Sequence, residues 1–306
     1  MSDNTDHVST SVVTDDLIRA WTHHLAAADR SRHTVRAYRH TLNHFLAWYA
    51  SEARQSLTLA DLTPIALVGY RNFLQHDQGK ATSTINTHVA ALRAWCAWLH
   101  DEQQVAVNPA AHLKFVGRQT PGEPTGLTDR QINALLRATQ HTADPPRNYA
   151  IVQLLLQTGM RIGECTMLNY GDIALHERSG SVRIRAGKGN KMRLIPLNGS
   201  ARAALATYVA PIFQVAPTIE AVVSVWSTPQ ALPPLTPLWR SRRSARLSVQ
   251  AIRRMMDDLV NACARHRLVP PTASAHTLRH TFAMRYLVDN PGDIIGLATL
   301  LGTRIK

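Results

Sequence analysis

Ten residues near the middle of the chain, Gly117 to Gly126, hold two prolines and three glycines. Such a stretch sustains neither a helix nor a central strand. It splits the sequence into blocks that must each bury a core of their own. Residues 12–116 and 127–306 are expected as two domains, with 117–126 as the linker between them. The polar segment 1–11 shows no apolar period and is expected as a disordered tail.

The first block is patterned for helices. From Arg32 to Tyr49 the apolar positions Val35, Tyr38, Leu42, Phe45, Leu46 and Tyr49 lie on one helical face. The opposite face carries Arg32, Arg36, Arg39, His40 and Asn43. A second helix is expected from Ser83 to His100, burying Ile85, Val89, Leu92, Leu99 and either Trp95 or Cys96. Between them, Thr63 to Leu74 reads as a shorter helix. Thr63 suits the N-cap, and Pro64 the first helical position, where its missing N–H goes unpaired anyway. The Arg-rich faces are either plain solvated faces or phosphate contacts. The charge balance favours the second: 34 Lys and Arg face 21 Asp and Glu, for a net charge of +13. Such a surplus favours a polyanionic partner, most simply nucleic acid, over a generally basic protein with no such partner.

The second block opens on a capping box, Thr128-Asp129-Arg130-Gln131. Residues 147–168 read as a helix, a tight corner at Thr158-Gly159, and a further helix from Arg161. Val182, Ile184, Leu194 and Ile195 alternate around Gly187-Lys188-Gly189-Asn190-Lys191, which predicts a hairpin with a basic, Gly-rich turn. Residues 212–245, rich in Pro, Ser and Arg, are expected as loop. Helices are expected at 248–266, 276–289 and 293–301. The fold class is thus mainly α with a small β-sheet.

Several classes are disfavoured. Cys96, Cys165 and Cys263 are far apart and show no CxxC spacing, so buried free thiols are expected rather than disulfides or a zinc knuckle. The N-terminus lacks a signal pattern, and no apolar run approaches the roughly 18 residues of a membrane span. A cytoplasmic protein is expected.

Three features bear on chemistry. In Thr158-Gly159-Met160-Arg161-Ile162-Gly163-Glu164, Arg161 opens a helix, where N–H groups and the macrodipole favour an anion. Its guanidinium can grip two phosphate oxygens, with Glu164 one turn on to hold it. By itself the pair reads first as a surface Arg–Glu bridge. Lys188 on its small turn can donate a proton to a leaving oxygen, though the turn is also readable as merely solubilising. It lacks the GxxxxGK[ST] spacing of a nucleotide-binding loop. In His276-Thr277-Leu278-Arg279-His280, positions 276, 279 and 280 share a helical face. Two histidines four apart resemble half a zinc site, but Arg279 between them would repel a dication, and arginine with histidine suits a phosphate.

Arg161 in TGMRIGE, Lys188 in GKGNK and the HTLRH run, in that order, resemble the catalytic domain of tyrosine recombinases of the phage-integrase and Xer type. The Thr34-Val35-Arg36-Ala37-Tyr38 helix start and the helix from Thr84 to Leu99 resemble that family's helical, SAM-like core-binding domain. The resemblance spans residues 12–302. It implies two domains closing on duplex DNA and site-specific recombination without metal, ATP or other cofactor. In that chemistry Arg161 and Arg279 cradle the scissile phosphate. Lys188 is the general acid and His276 assists proton transfer. Glu164 and His280 support these residues, and Arg32, Arg36, Arg39 and Lys191 contact DNA. A tyrosine hydroxyl attacks to leave a 3′-phosphotyrosyl bond.

The pattern breaks near the end. The family expects Leu-Leu-Gly-His and then the nucleophilic tyrosine. Here Leu300-Leu301-Gly302 is followed by Thr303, and the sequence stops at Lys306. Of seven tyrosines only Tyr286 lies near HTLRH. It falls about 9 Å along the helix from His280 and is rotated away from it, so it reads as core. The chain is therefore expected to bind DNA but not to cleave it alone. Assembly as a homo-oligomer on DNA is expected to be weakened, and a non-catalytic DNA-binding protein or regulatory subunit is the competing reading.

Overall fold

The computed structural model describes residues 15–117, 126–185, 192–228, 232–241 and 246–303. The expected tail, linker residues 118–125, and the turn carrying Lys188 and Lys191 lie outside the described residues. The chain divides into two compact units, Met1–Gly122 and Glu123–Lys306.

The first unit is helical: α1 (Asp15–Ala27), α2 (Arg32–Ala53), α3 (Pro64–Asn72), which runs on through a wider turn at Phe73–Asp77, and α4 (Thr82–Asp101). Caps set its boundaries. The Ser31 side chain accepts from the Thr34 N–H at 3.1 Å, and Thr63 accepts from Ala66 at 3.2 Å. Helix α2 follows its sequence period, with Leu42 and Phe45 buried and Val35, Tyr38, Leu46 and Tyr49 packed against the core. It continues past Tyr49 until Arg54 turns left-handed at φ 53°. Both Trp95 and Cys96 of α4 are buried, so the choice left open by the period resolves to both. Trp98 is buried as well, because α4 is covered on more than one side. Burial pushes the Cys96 thiol up to about 12, which keeps it protonated and inert.

A polar thread crosses this core. The Tyr70 hydroxyl lies 2.7 Å from His44 Nδ1 and 2.8 Å from His88 Nδ1. A hydroxyl has one proton to give, so one imidazole must donate to it. Burial, then the nearby His44, holds the His88 imidazole down to about 4.

The second unit contains α5 (Asp129–Ala138), α6 (Pro145–Thr158), α7 (Ile162–Met167), α8 (Gly199–Phe213), α9 (Ile219–Trp226), α10 (Val249–Arg265), α11 (Ala275–Asp289) and α12 (Ile294–Leu301). Its strands β1 (Ile173–Leu175), β2 (Gly180–Ile184) and β3 (Arg193–Pro196) form one antiparallel sheet in that order. Val182 pairs with Ile173 on one side and Ile195 on the other, which places the expected hairpin register. Helix α6 is buried along most of its length and packs against α8 and α11. The chain is thus mostly helical with one small sheet.

The expectation of continuous loop over 212–245 does not hold. Thr218 caps α9 by accepting from Ala221 at 3.2 Å, Val222 is buried, and Trp226 packs on Tyr170 with ring centroids 5.1 Å apart. The window between Pro217 and Pro229 contains no proline, and averaging over the whole stretch conceals its apolar run. Helix α8 leaves no amphipathic stripe in the sequence because alanine and other apolar residues cover most of its faces.

Candidate active site

Arg161 does not stand inside a helix. It is the N-cap of α7, in extended backbone. Its own N–H is not open to an anion, because Glu164 Oε2 accepts it at 2.8 Å. Glu164 Oε1 also accepts from Arg161 Nη1 at 3.1 Å. The sequence pair is therefore a box closed from both ends.

Glu164 has a second partner that the sequence reading missed. Arg193, at the start of β3, donates Nη1 to Oε1 at 3.1 Å and Nη2 to Oε2 at 2.7 Å. This is a two-pronged pair in which both side chains are only 7% exposed. Arg193 Nε donates to the Leu300 carbonyl at 2.7 Å. Burial by itself would raise the Glu164 pKa. Hydrogen bonds from Arg193 and the Arg161 N–H, with the two guanidinium charges, outweigh it and hold the carboxyl below its ordinary value. A signal for Arg193 did exist. The alternation of β3 puts Arg193 and Ile195 inward and Leu194 outward, and an inward arginine requires a counter-ion.

Arg279 projects from α11 into the same region and is buried with Leu278 and Thr281. Its Nη1 donates to the Gly159 carbonyl at 2.7 Å and its Nη2 to the Leu301 carbonyl at 2.8 Å. Burial, and then the charge of Arg161, holds its pKa down to about 10. Arg161 Nη2 reaches the Gly302 carbonyl at 3.5 Å, a long and weak contact. Three successive carbonyls at the end of α12, on Leu300, Leu301 and Gly302, thus each take a different arginine.

Two glycines make these approaches possible. Gly159 ends α6 at φ +58°, and a Cβ there would sit 2.4 Å from Phe282. Gly302 ends α12 at φ +60°, and a Cβ there would sit 2.8 Å from Arg193 Nη1. Three guanidinium groups against one carboxylate leave an excess of two positive charges, with Arg161, at 38% side-chain exposure, the open member. An arrangement of that kind binds an oxyanion.

Arg161, Glu164 and Arg279 are thereby brought together. His276 lies in the first turn of α11, exposed, and His280 is half-buried one residue past Arg279. The three positions share the helix side expected of them but differ in depth, Arg279 being the inward one. Lys188 and Lys191 fall outside the described residues. Arg32, Arg36 and Arg39 are exposed on α2 in the first unit, where with Arg30 they line a cleft of about 640 Å³. None of these four guanidinium groups makes an ion pair among the described residues.

Tyr286 is not core. It is half-buried, its ring packs on Phe282 at 6.2 Å, and its hydroxyl donates to Asp293 Oδ2 at 2.6 Å. Asp293 caps α12, so the hydroxyl braces the start of that helix. Among the described residues no group of three or more His, Cys, Asp or Glu side chains is placed to hold a metal ion, and no helix is long and apolar enough to cross a membrane.

The fold and this cluster define a two-unit, mostly helical protein whose second unit gathers three arginines around one buried carboxylate. The phage integrase family profile matches residues 126–302, and the phage integrase N-terminal SAM-like domain matches residues 18–103. The chain belongs to the phage integrase family. It is similar to tyrosine recombinase XerD of Oceanobacillus iheyensis, 27% identical over 276 residues that cover 89% of this chain and 84% of that protein. It is also similar to tyrosine recombinase XerC of Thermodesulfovibrio yellowstonii, 29% identical and covering 90% and 85%. Among solved structures it shares its fold with the Tn1549 transposon integrase in complex with a circular intermediate DNA, at TM-score 0.69 and 17% identity, covering 95% of this chain and 92% of that one.

Proposed function

We propose that the second unit holds the scissile phosphate of duplex DNA between Arg161 and Arg279, for site-specific strand cleavage and rejoining through a 3′-phosphotyrosyl intermediate. The observation that carries this reading is the charge of the cluster. A phosphodiester brings one negative charge, and the pentavalent transition state formed by attack on it brings two. Arg161, Arg193 and Arg279 less Glu164 leave two positive charges. Among the described residues the cluster therefore favours the more highly charged transition state over the ground state, which is what accelerates a reaction. The similarity to the Xer recombinases supports the same chemistry.

In this reading Arg161 gives its open guanidinium edge to the non-bridging oxygens, and Arg279 supplies the second positive charge from below. Glu164 positions Arg161. Lys188 protonates the departing 5′-oxygen, and His276, exposed on the rim, assists proton transfer. His280 supports α11. Arg32, Arg36 and Arg39 on α2, with Lys191, contact neighbouring phosphates and give binding its dependence on salt. No metal or other cofactor takes part. Copies of the chain assemble on DNA as a homo-oligomer.

No tyrosine of residues 1–306 is assigned as the attacking group. The Tyr286 hydroxyl is engaged by Asp293, and that of Tyr208 donates to the Leu238 carbonyl at 3.0 Å. Tyr149 accepts from Gln153 at 3.1 Å. In this reading the 306-residue polypeptide binds a site without cleaving it by itself. These engaged hydroxyls also favour the second reading, a DNA-binding or regulatory subunit. A nicked suicide duplex, chosen by binding selection from a random library, tests both. The expected outcome is retention of the duplex with no covalent adduct, and weaker retention by Arg279→Ala. A protein–DNA adduct would sink the claim that no tyrosine attacks, and equal retention by Arg279→Ala would sink the phosphate assignment.

A further inference from the structure

We infer that Arg193 is a positioning residue for Arg161, acting through Glu164, and that it ties the phosphate site to the end of α12. The inference rests on the function proposed above. Arg193 satisfies both Glu164 oxygens at once and still has Nε for the Leu300 carbonyl. Only a planar fork offers three N–H groups in those directions; a lysine offers a point charge. By keeping the carboxylate ionised, Arg193 keeps it an acceptor on both oxygens. Glu164 then accepts from the Arg161 N–H and from Nη1 together, which fixes the backbone and the guanidinium of Arg161 in one register. A protonated Glu164 would have a donor where Arg161 also has one, and that register would be lost.

The charged and titratable groups around the Glu164 carboxyl come from three elements: Arg161 at the cap of α7 with the buried Cys165 thiol on the same helix, Arg193 on β3, and Arg279 on α11. Arg193 alone among the arginines holds both carboxylate oxygens with its side chain. Its guanidinium also lies against the end of α12, where a Cβ on Gly302 would sit 2.8 Å from Nη1. Arg193 therefore reports the seating of the α12 terminus to Arg161 without touching the DNA.

The test uses the full 306-residue chain with Arg193→Met and Arg193→Lys, after melting curves establish that each is folded. Carbon-detected NMR follows the Glu164 carboxyl through acid titration, and nitrogen-detected NMR follows the Arg161 guanidinium. In the unaltered chain the carboxyl should titrate below its ordinary range and Arg161 should show separate Nη signals from a held guanidinium. In Arg193→Met the carboxyl midpoint should rise above the ordinary range and the Arg161 signals should merge. Arg193→Lys restores the charge, so the midpoint should fall back while Arg161 stays merged. If Arg193→Met does not fold, the Lys variant decides alone. Separate Arg161 Nη signals in a folded Arg193→Lys chain, whatever its melting temperature, would overturn the inference and leave Arg193 a structural brace.

These signals need no DNA, so they stand apart from the functional reading. The link to function is a double-variant cycle on duplex affinity. Arg193→Lys should weaken binding about tenfold in the unaltered chain and by less than about twofold when Arg161 is already alanine. Equal losses in the two backgrounds would refute the coupling. If Arg161→Ala itself leaves duplex affinity unchanged, the proposed function fails while the NMR result still decides the positioning role.

Discussion

Replacing Gly159 by alanine isolates the geometry on which the arginine cluster depends. The residue sits at φ +58°, where an L side chain costs about 1–2 kcal/mol. The added Cβ would lie 2.4 Å from Phe282 Cδ1 and 2.9 Å from Leu301 Cδ2, so α11 and α12 must both give way. Forcing that much extra volume into a packed site costs about 1–3 kcal/mol more. The sum is a loss of about 2–5 kcal/mol, or roughly 4–20 °C in melting temperature for a unit of this size. Gly163, two residues into α7, is the matched control. A Cβ there meets nothing within 4 Å, and alanine should be neutral or stabilising by about 0.5–1 kcal/mol. Urea unfolding read by amide exchange of second-unit peptides measures both. The Gly159 carbonyl also accepts from Arg279, so Gly159→Ala should weaken duplex binding beyond what its stability predicts. A loss under about 1 kcal/mol, or an equal loss from Gly163→Ala, would refute the packing argument.

The remaining predictions concern charge and protons. Glu164→Gln leaves Arg193 at 7% side-chain exposure without its counter-ion and should cost about 3–5 kcal/mol, measured by denaturant unfolding. Because the folded Glu164 pKa is depressed, its stabilisation is present above the ordinary value of 4.5 and is lost as pH falls through the lower folded value; Glu164→Gln should remove that acid-side loss. In the first unit the His88 pKa falls from 6.5 to about 4, so the unfolded chain binds more protons between those values. Stability of that unit should therefore decline as pH drops from 6.5 towards 4, and a folded His88→Asn should show a shallower decline in melting temperature. Arg36→Ala should lower duplex affinity evenly across sequences and reduce the salt slope by about one, which titrations at several salt concentrations would read.

How far the sequence reached depended on how each element is stabilised. Helices with a buried stripe or a polar cap were legible: α2 and α4 follow the expected faces, and the Thr128 box caps α5 with both of its hydrogen bonds. Elements without a stripe were not. Helix α8 is apolar on most sides, and α9 is a short run inside proline-rich surroundings. The site divided the same way. Arg161, Glu164 and Arg279 stand in compact local motifs, whereas Arg193 matters through contacts across 29 residues to Glu164 and 107 to Leu300. Tyr286 was misread because helical rotation from His280 says which way a side chain points, not what it meets there. What it meets is Asp293, the cap of the following helix.

The most direct trial of the central claim is an experimental structure of this chain bound to a selected DNA duplex. A backbone phosphate should lie within hydrogen-bond distance of the Arg161 guanidinium, with Arg279 beneath it and the long Arg161–Gly302 contact exchanged for a phosphate oxygen. DNA seated on the protein with Arg161 still turned to Gly302 and no phosphate near either arginine would contradict the account.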